Sequence, residues 1–164
     1  MSGTVRLRPP SNELNPRVVG WWRAQWALTF AVPVAVLVVL GLLISGARFW
    51  LLLPAVVLGV IALPFVVLMP LWWYRVHRWE VTDTAVYVRT GYFWQEWRVA
   101  PMSRIQTVDT VRGPLEQGFK LATVTVTTAS SKGPIKIEGL DHELAADLAQ
   151  QLTETTQATP GDAT

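Results

Sequence analysis

Of 164 residues, 51% are hydrophobic and 16% charged, against about 25% charged in an ordinary soluble domain. Part of the chain therefore belongs in a membrane, and the remainder suffices for one small domain. A formal net charge of +2 excludes bulk nucleic-acid binding. The absence of cysteine excludes disulfides, thiolate nucleophiles and cysteine-based zinc sites, while two distant histidines, His77 and His142, offer no ligand-spaced metal site.

Residues 1–23 form an arm carrying Arg6, Arg8, Arg17 and Arg23. Two uncharged runs follow, 23 residues from Ala24 to Gly46 and 26 residues from Phe49 to Tyr74. A bilayer core of about 30 Å needs roughly 20 helical residues, so residues 24–74 predict a transmembrane helical hairpin. The competing reading of the first run is a cleaved signal peptide, whose apolar region is usually about 7–15 residues long and close to the N-terminus. This run is longer, starts late, and has a second one directly behind it, which favours a retained hairpin.

Arginines cluster before the first run, and Arg75 and Arg78 follow the second, with Arg48 alone in the turn. Positive residues stay on the cytoplasmic side. The expectation is a multi-pass plasma-membrane protein with both termini and the C-terminal domain in the cytoplasm. Trp21, Trp22, Trp26, Trp50, Trp72 and Trp73 fall at or near the predicted borders, where indoles are favoured; Trp21, Trp22, Trp50, Trp72 and Trp73 are the expected interface anchors. Pro33, Pro54, Pro64 and Pro70 should kink or end the spans. No ionisable residue inside the runs supports an ion path.

After Tyr74 the period changes. Strands are predicted around Val86 and Val88, which alternate with Tyr87 and Arg89, and around Trp97 and Val99, which alternate with Glu96 and Arg98. Turns fall at Thr82-Asp83-Thr84 and Thr90-Gly91. "LATVTVTTAS" puts Val124 and Val126 on one face and threonines on the other, and "SKGPIKIEG" sets Ile135 and Ile137 against Lys136 and Glu138. In "SRIQTVDTVRGP" the alternation slips at Val108, predicting a bulge or twist. Trp97 fits the core by alternation; Trp94 is placed either in the membrane interface or, preferred for it as for Trp79 and Trp97, in core or loop packing.

The last element is helical. Asp141 serves as N-cap, Glu143 suits the first turn, and Leu144, Leu148 and Leu152 make an apolar stripe. Residues 75–153 thus predict a small antiparallel β-barrel or sandwich capped by a C-terminal helix, and 154–164 a disordered tail. The fold class is an α+β membrane protein.

Several pieces in fixed order carry a resemblance: the Thr82-Asp83 turn, Arg89-x-Gly91, Pro101-x-x-Arg104-Ile105-Gln106, Gly113-Pro114-Leu115, and Leu121-Ala122 ahead of a Thr-rich strand. Together they resemble the bacterial pleckstrin-homology-like (PH-like, bPH2) domains, long labelled a domain of unknown function. The likeness is greatest to the short membrane proteins with two N-terminal transmembrane helices before one such domain. The family often has a basic residue after the Pro-Leu pair and a glycine immediately before the Leu-Ala strand. This chain has Gln117 and Lys120 there, with Gly118 displaced.

The residues themselves lead to the expectation of no enzyme and no cofactor. Asp83, Glu96, Asp109, Glu116, Glu138 and the helix carboxylates are scattered, without a nucleophile motif or phosphate loop. The first hairpin loop is acidic and lacks a Lys/Arg cluster, so no phosphoinositide specificity is expected. The candidate contacts to lipid or an acidic partner are Arg78, Arg89, Arg104, Gln106, Arg112 and Lys120. The preferred alternative for this group is structural, with Arg104 paired to a local carboxylate and Gln106 satisfying backbone groups. The family implies an interaction or assembly module, with a larger multi-domain relative or self-association as partner. The second hypothesis is anionic-lipid sensing by the juxtamembrane arginines with Lys132 and Lys136.

Overall fold

The computed structural model describes residues 10–91 and 93–158. The described chain divides into two compact units, Val19–Trp72, and the residues up to Val18 together with those from Trp73 onward.

The first unit is helical. Helix α1 spans Arg17–Leu43, a 3-10 turn covers Ser45–Ala47, α2 spans Arg48–Val67 and α3 spans Met69–Val76. Only 6% of the most apolar window of either candidate span is buried, so these are not core helices of a soluble protein, and their side chains require lipid around them. Trp26 packs against Phe65 of α2 at 5.4 Å between ring centroids. At Gly41 an added Cβ would lie 3.0 Å from Leu52, so the missing side chain admits that leucine. The prolines sit where expected: Pro33 inside α1, Pro54 and Pro64 inside α2, and Pro70 in the first turn of α3, after the break at Leu68. Both helical segments outrun the uncharged runs. A helix persists beyond hydrocarbon when its end is held by other structure, and Arg17, Val18 and Trp73–Val76 belong to the second unit.

That unit contains two antiparallel sheets. One orders β1 (Asn12–Glu13), β2 (Arg78–Val81), β3 (Ala85–Gly91) and β4 (Gln95–Pro101); the other orders β5 (Ile105–Val111), β6 (Leu121–Thr128) and β7 (Ile135–Asp141). Helix α4 (Pro114–Gly118) joins β5 to β6, and α5 (His142–Ala158) follows β7. Among the described residues no ladder joins the sheets, so the barrel-or-sandwich alternative resolves to a two-sheet arrangement without closure. Val86, Val88, Leu121, Val124, Val126, Ile137 and Leu140 are buried, as are Ala145, Leu148 and Leu152 of α5.

The valines of β3 and β6 and the isoleucines of β7 face as their alternation predicts. The slip in β5 is a register shift between Ile105 and Thr107 that leaves Gln106 as the extra residue. Asp141 caps α5 by accepting the Glu143 N–H at 3.1 Å.

Four expectations are corrected. In β4 the faces are reversed: Arg98 and Ala100 pair with the buried Val88 and Val86, whereas Trp97 and Val99 pair with Arg89 and Tyr87 on the outer face. Trp79 is in the core, but Trp94 is 86% exposed and packs in neither core nor loop. On α5 the buried stripe is Ala145, Leu148 and Leu152, with Leu144 exposed, because Ala145 lies closer to the middle of the packed face. The helix also runs past Thr153 to Ala158, supported by Gln150–Glu154 at 2.9 Å and by threonine hydroxyls donating one turn back. The rest of the expected tail, 159–164, lies outside the described residues.

The N-terminal arm is likewise part of the domain from residue 12. Asn12 and Glu13 pair with Trp79 and Arg78. Asn15 donates its N–H to the Gly139 carbonyl at 3.1 Å, and Arg17 meets Asp141 at 3.3 Å. Gly139 has φ +68°, and a Cβ there would overlap the fully buried Val18 side chain. Glycine is needed at that point both for its backbone and for its missing side chain.

Candidate functional site

The end of the first sheet where α3 arrives is built around the helix's last carbonyls. These lack intrahelical donors, and Val76 is buried from water. Arg78 donates Nη1–H to the Tyr74 and His77 carbonyls at 2.9 and 3.0 Å, and its Nη2 meets Glu13 at 2.8 Å. Arg89 donates Nε–H to the Val76 carbonyl at 2.8 Å and lies over the Trp97 ring, 5.6 Å from its centroid. Both arginines stand side by side because β2 and β3 pair Arg78 with Arg89. Two candidate lipid contacts are thereby engaged in tying a helix end to a sheet.

The other candidates do not join them. Arg112 donates Nε–H to the Leu121 carbonyl at 3.2 Å, a structural bond across the β5–β6 connection. Arg104 and Gln106 are exposed at the start of β5. Lys120 is exposed with φ +56°, the left-handed region that favours glycine, which is why the departure from the family's glycine at this turn matters. Of the tryptophans expected at membrane borders, Trp50 and Trp72 are 74% and 58% exposed, Trp21 is half-buried, and Trp22 and Trp73 are buried.

Beside the arginine pair opens a groove of about 540 Å³, lined by Trp79 and Val88 of β2 and β3, by Glu96 and Arg98 of β4, by Ile135–Glu138 of β7, and by His77, Phe93 and Trp94. Both β4 and β7 are edge strands. Arg98 crosses from one sheet to the loop of the other, donating to the carbonyls of Pro134, Lys132 and Gly133 at 2.6, 2.7 and 2.8 Å. Burial holds His77 below the ordinary imidazole range, opposed by its bond to the Trp73 carbonyl and reinforced by Arg89. Burial likewise pushes the Glu138 carboxyl up, with Lys136 opposing and Glu116 adding. Apolar side chains thus share the groove with an arginine, Arg98, that already donates to three carbonyls.

Sequence reasoning missed Arg98, Glu116, Glu13 and Gly139. Glu116 is buried, accepting the Gly113 N–H at 2.6 Å and the Thr123 hydroxyl at 2.7 Å. The stretch Gly113-Pro114-Leu115-Glu116 carried the signal, since proline at the first helical position with glutamate two residues later marks a capped helix start. A lone glycine inside "IKIEGLD" likewise signalled close approach at Gly139. Arg98 gave none, because an inward arginine reads as a wet face.

Comparison with known proteins agrees with this architecture. The Bacterial PH domain family profile matches residues 27–156. The chain is 29% identical over 157 residues to the UPF0699 transmembrane protein YdbS of Bacillus subtilis (strain 168), covering 93% of this chain and 97% of that one. No solved structure matches. The match extends over most of the chain, spans included, and the chain belongs to the bacterial PH domain family.

Proposed function

We propose that this membrane protein presents its PH-like domain at the cytoplasmic face as an interaction and assembly module. Its groove receives a segment of another membrane subunit, either a larger protein with several such domains or a second copy. The observation carrying the reading is that the two edge strands β4 and β7 both line the groove, where unpaired backbone groups accept an added strand. Arg78 and Arg89 are already bonded within the chain, which disfavours that pair as a headgroup site. Cytoplasmic orientation rests on the arginine distribution.

A photo-crosslinker at Lys136 of β7, in native membranes, tests this. Adducts with a PH-domain membrane protein or with the chain itself are expected, in excess over a probe at Asp109 of β5. Equal or absent adducts at both positions refute it. The second reading, anionic-lipid sensing, is favoured by the exposed Arg75, Arg104, Lys120, Lys132 and Lys136, each contributing about 1 kcal/mol near an anionic surface. It requires that charge reversal at these positions release the domain from the surface and that added salt do the same.

A further inference from the structure

Among the described residues of the soluble unit, the turn between β3 and β4 carries the most exposed large apolar side chains. Phe93 is 74% and Trp94 86% exposed, as open as Phe49 and Trp50 in the membrane hairpin at 67% and 74%. A soluble surface scatters single apolar residues but seldom places two adjacent aromatics at a projecting tip. The turn also depends on glycine: Gly91 has φ +128°, and a Cβ there would overlap the Trp94 carbonyl oxygen. Strand register places it at the sheet end where the chain leaves α3. The pair Arg78–Arg89 puts the end of β3 beside the start of β2, and β2 begins where the chain leaves the second candidate span at Val76. Arg89 is bonded to the Val76 carbonyl, and His77, Phe93 and Trp94 line one groove. The opposite turn, Thr82–Thr84, lies at the far end of the same strands.

We infer that Phe93 and Trp94 seat in the headgroup–acyl boundary of the bilayer the chain itself crosses, giving the domain a second membrane contact beside its covalent exit. The chemistry is that of an aromatic belt: apolar rings reach the acyl boundary while the indole N–H stays hydrated. Two attachments restrict rotation of the domain about its exit and set which strand edges a partner can approach. The contact needs no anionic lipid, which separates it from electrostatic sensing.

Absence of cysteine allows a single spin label per variant in the full-length chain. Gln95→Cys, next to the intact aromatic pair, and Asp83→Cys, at the opposite turn, are labelled with a nitroxide in phosphatidylcholine nanodiscs. Collision rates with oxygen and with a water-soluble nickel chelate are then compared. The expected oxygen-to-nickel ratio is several-fold higher at 95 than at 83, and falls to the 83 value when Phe93→Ser and Trp94→Ser are added. An unchanged signal at 83 in that variant verifies the sheet. Equal ratios at the two positions, a ratio at 95 indifferent to the double substitution, or shielding of 95 from both reagents, as a covering protein would give, overturns the inference.

Discussion

Arg89 separates two roles that sequence alone leaves open. If its role is to finish α3, geometry matters and charge does not suffice; if it meets lipid or an acidic partner, charge suffices. Its Nε–H bond to the Val76 carbonyl is 2.8 Å long, and a hydrogen bond from a charged donor contributes about 1.5–3 kcal/mol. The guanidinium over Trp97, 5.6 Å from the centroid, adds about 0.5–1 kcal/mol at a partly exposed site. Arg89→Met should therefore cost roughly 2–4 kcal/mol. Arg89→Lys should cost nearly as much, because an ammonium at the end of a flexible stem cannot present a side-on N–H to that carbonyl while covering the ring.

The measurement uses the full chain in detergent or nanodiscs with Ala145→Cys, a small-for-small change at a fully buried position of α5. This lone thiol reacts with a fluorogenic maleimide only when the helix leaves the sheet. A domain of this size shifts about 4–8 °C per kcal/mol, so both variants should expose the thiol at a midpoint lower by roughly 10 °C or more. Wild-type behaviour of the lysine variant, with loss confined to methionine, would refute the capping role.

Further predictions rest on single observations. Glu116→Leu should destabilise by roughly 2–3 kcal/mol, since it leaves the Gly113 N–H and the buried Thr123 hydroxyl without their acceptor; Thr123→Val should cost less, and a double-mutant cycle should show coupling. Lys120→Gly should raise stability by up to about 1 kcal/mol, as the left-handed conformation is disfavoured for lysine but open to glycine; a lower midpoint would contradict the assigned turn. Glu138 has its folded pKa raised by burial above the ordinary value of 4.5. Its contribution is therefore fully present below 4.5 and is lost as pH rises through the folded value. Glu138→Gln should match the wild type in acid and become progressively the more stable protein over that window; parallel midpoint-versus-pH curves would rule this out.

The legible parts of the sequence are those where one residue reports one local environment. Two long runs without charge can only be spans, and Val86/Val88 or Ile135/Ile137 alternate because each strand has one wet face. β4 misled because its polarity is inverted by distant partners. Trp97 tolerates the outer face under the Arg89 guanidinium, and Arg98 tolerates the inner face because the carbonyls of residues 132–134 accept its protons. Likewise β1 is two residues long and has no periodicity to detect. It exists because Trp79 and Arg78, more than 60 positions away, pair with it. Non-local compensation of this kind leaves no mark on a hydropathy pattern.

The same compensation changes where recognition should be sought. Arginines beside a membrane exit read equally well as topology markers or as headgroup contacts, yet here the emerging helix itself demands them. Its final carbonyls leave hydrocarbon into protein rather than water, and each unpaired buried carbonyl would cost about 1–3 kcal/mol. Arg78 and Arg89 meet that demand, and Glu13 fixes one of them. Moving either guanidinium onto an external anion would therefore put the bonds at the helix end at risk. Besides the exposed cations, groups whose bonding capacity is still open include the free edges of β4 and β7 along the groove and the aromatic pair at the β3–β4 tip. Free strand edges suit an added polypeptide strand and the aromatic pair suits an apolar interface, the two contacts that the proposed assembly role and the inferred membrane contact would use.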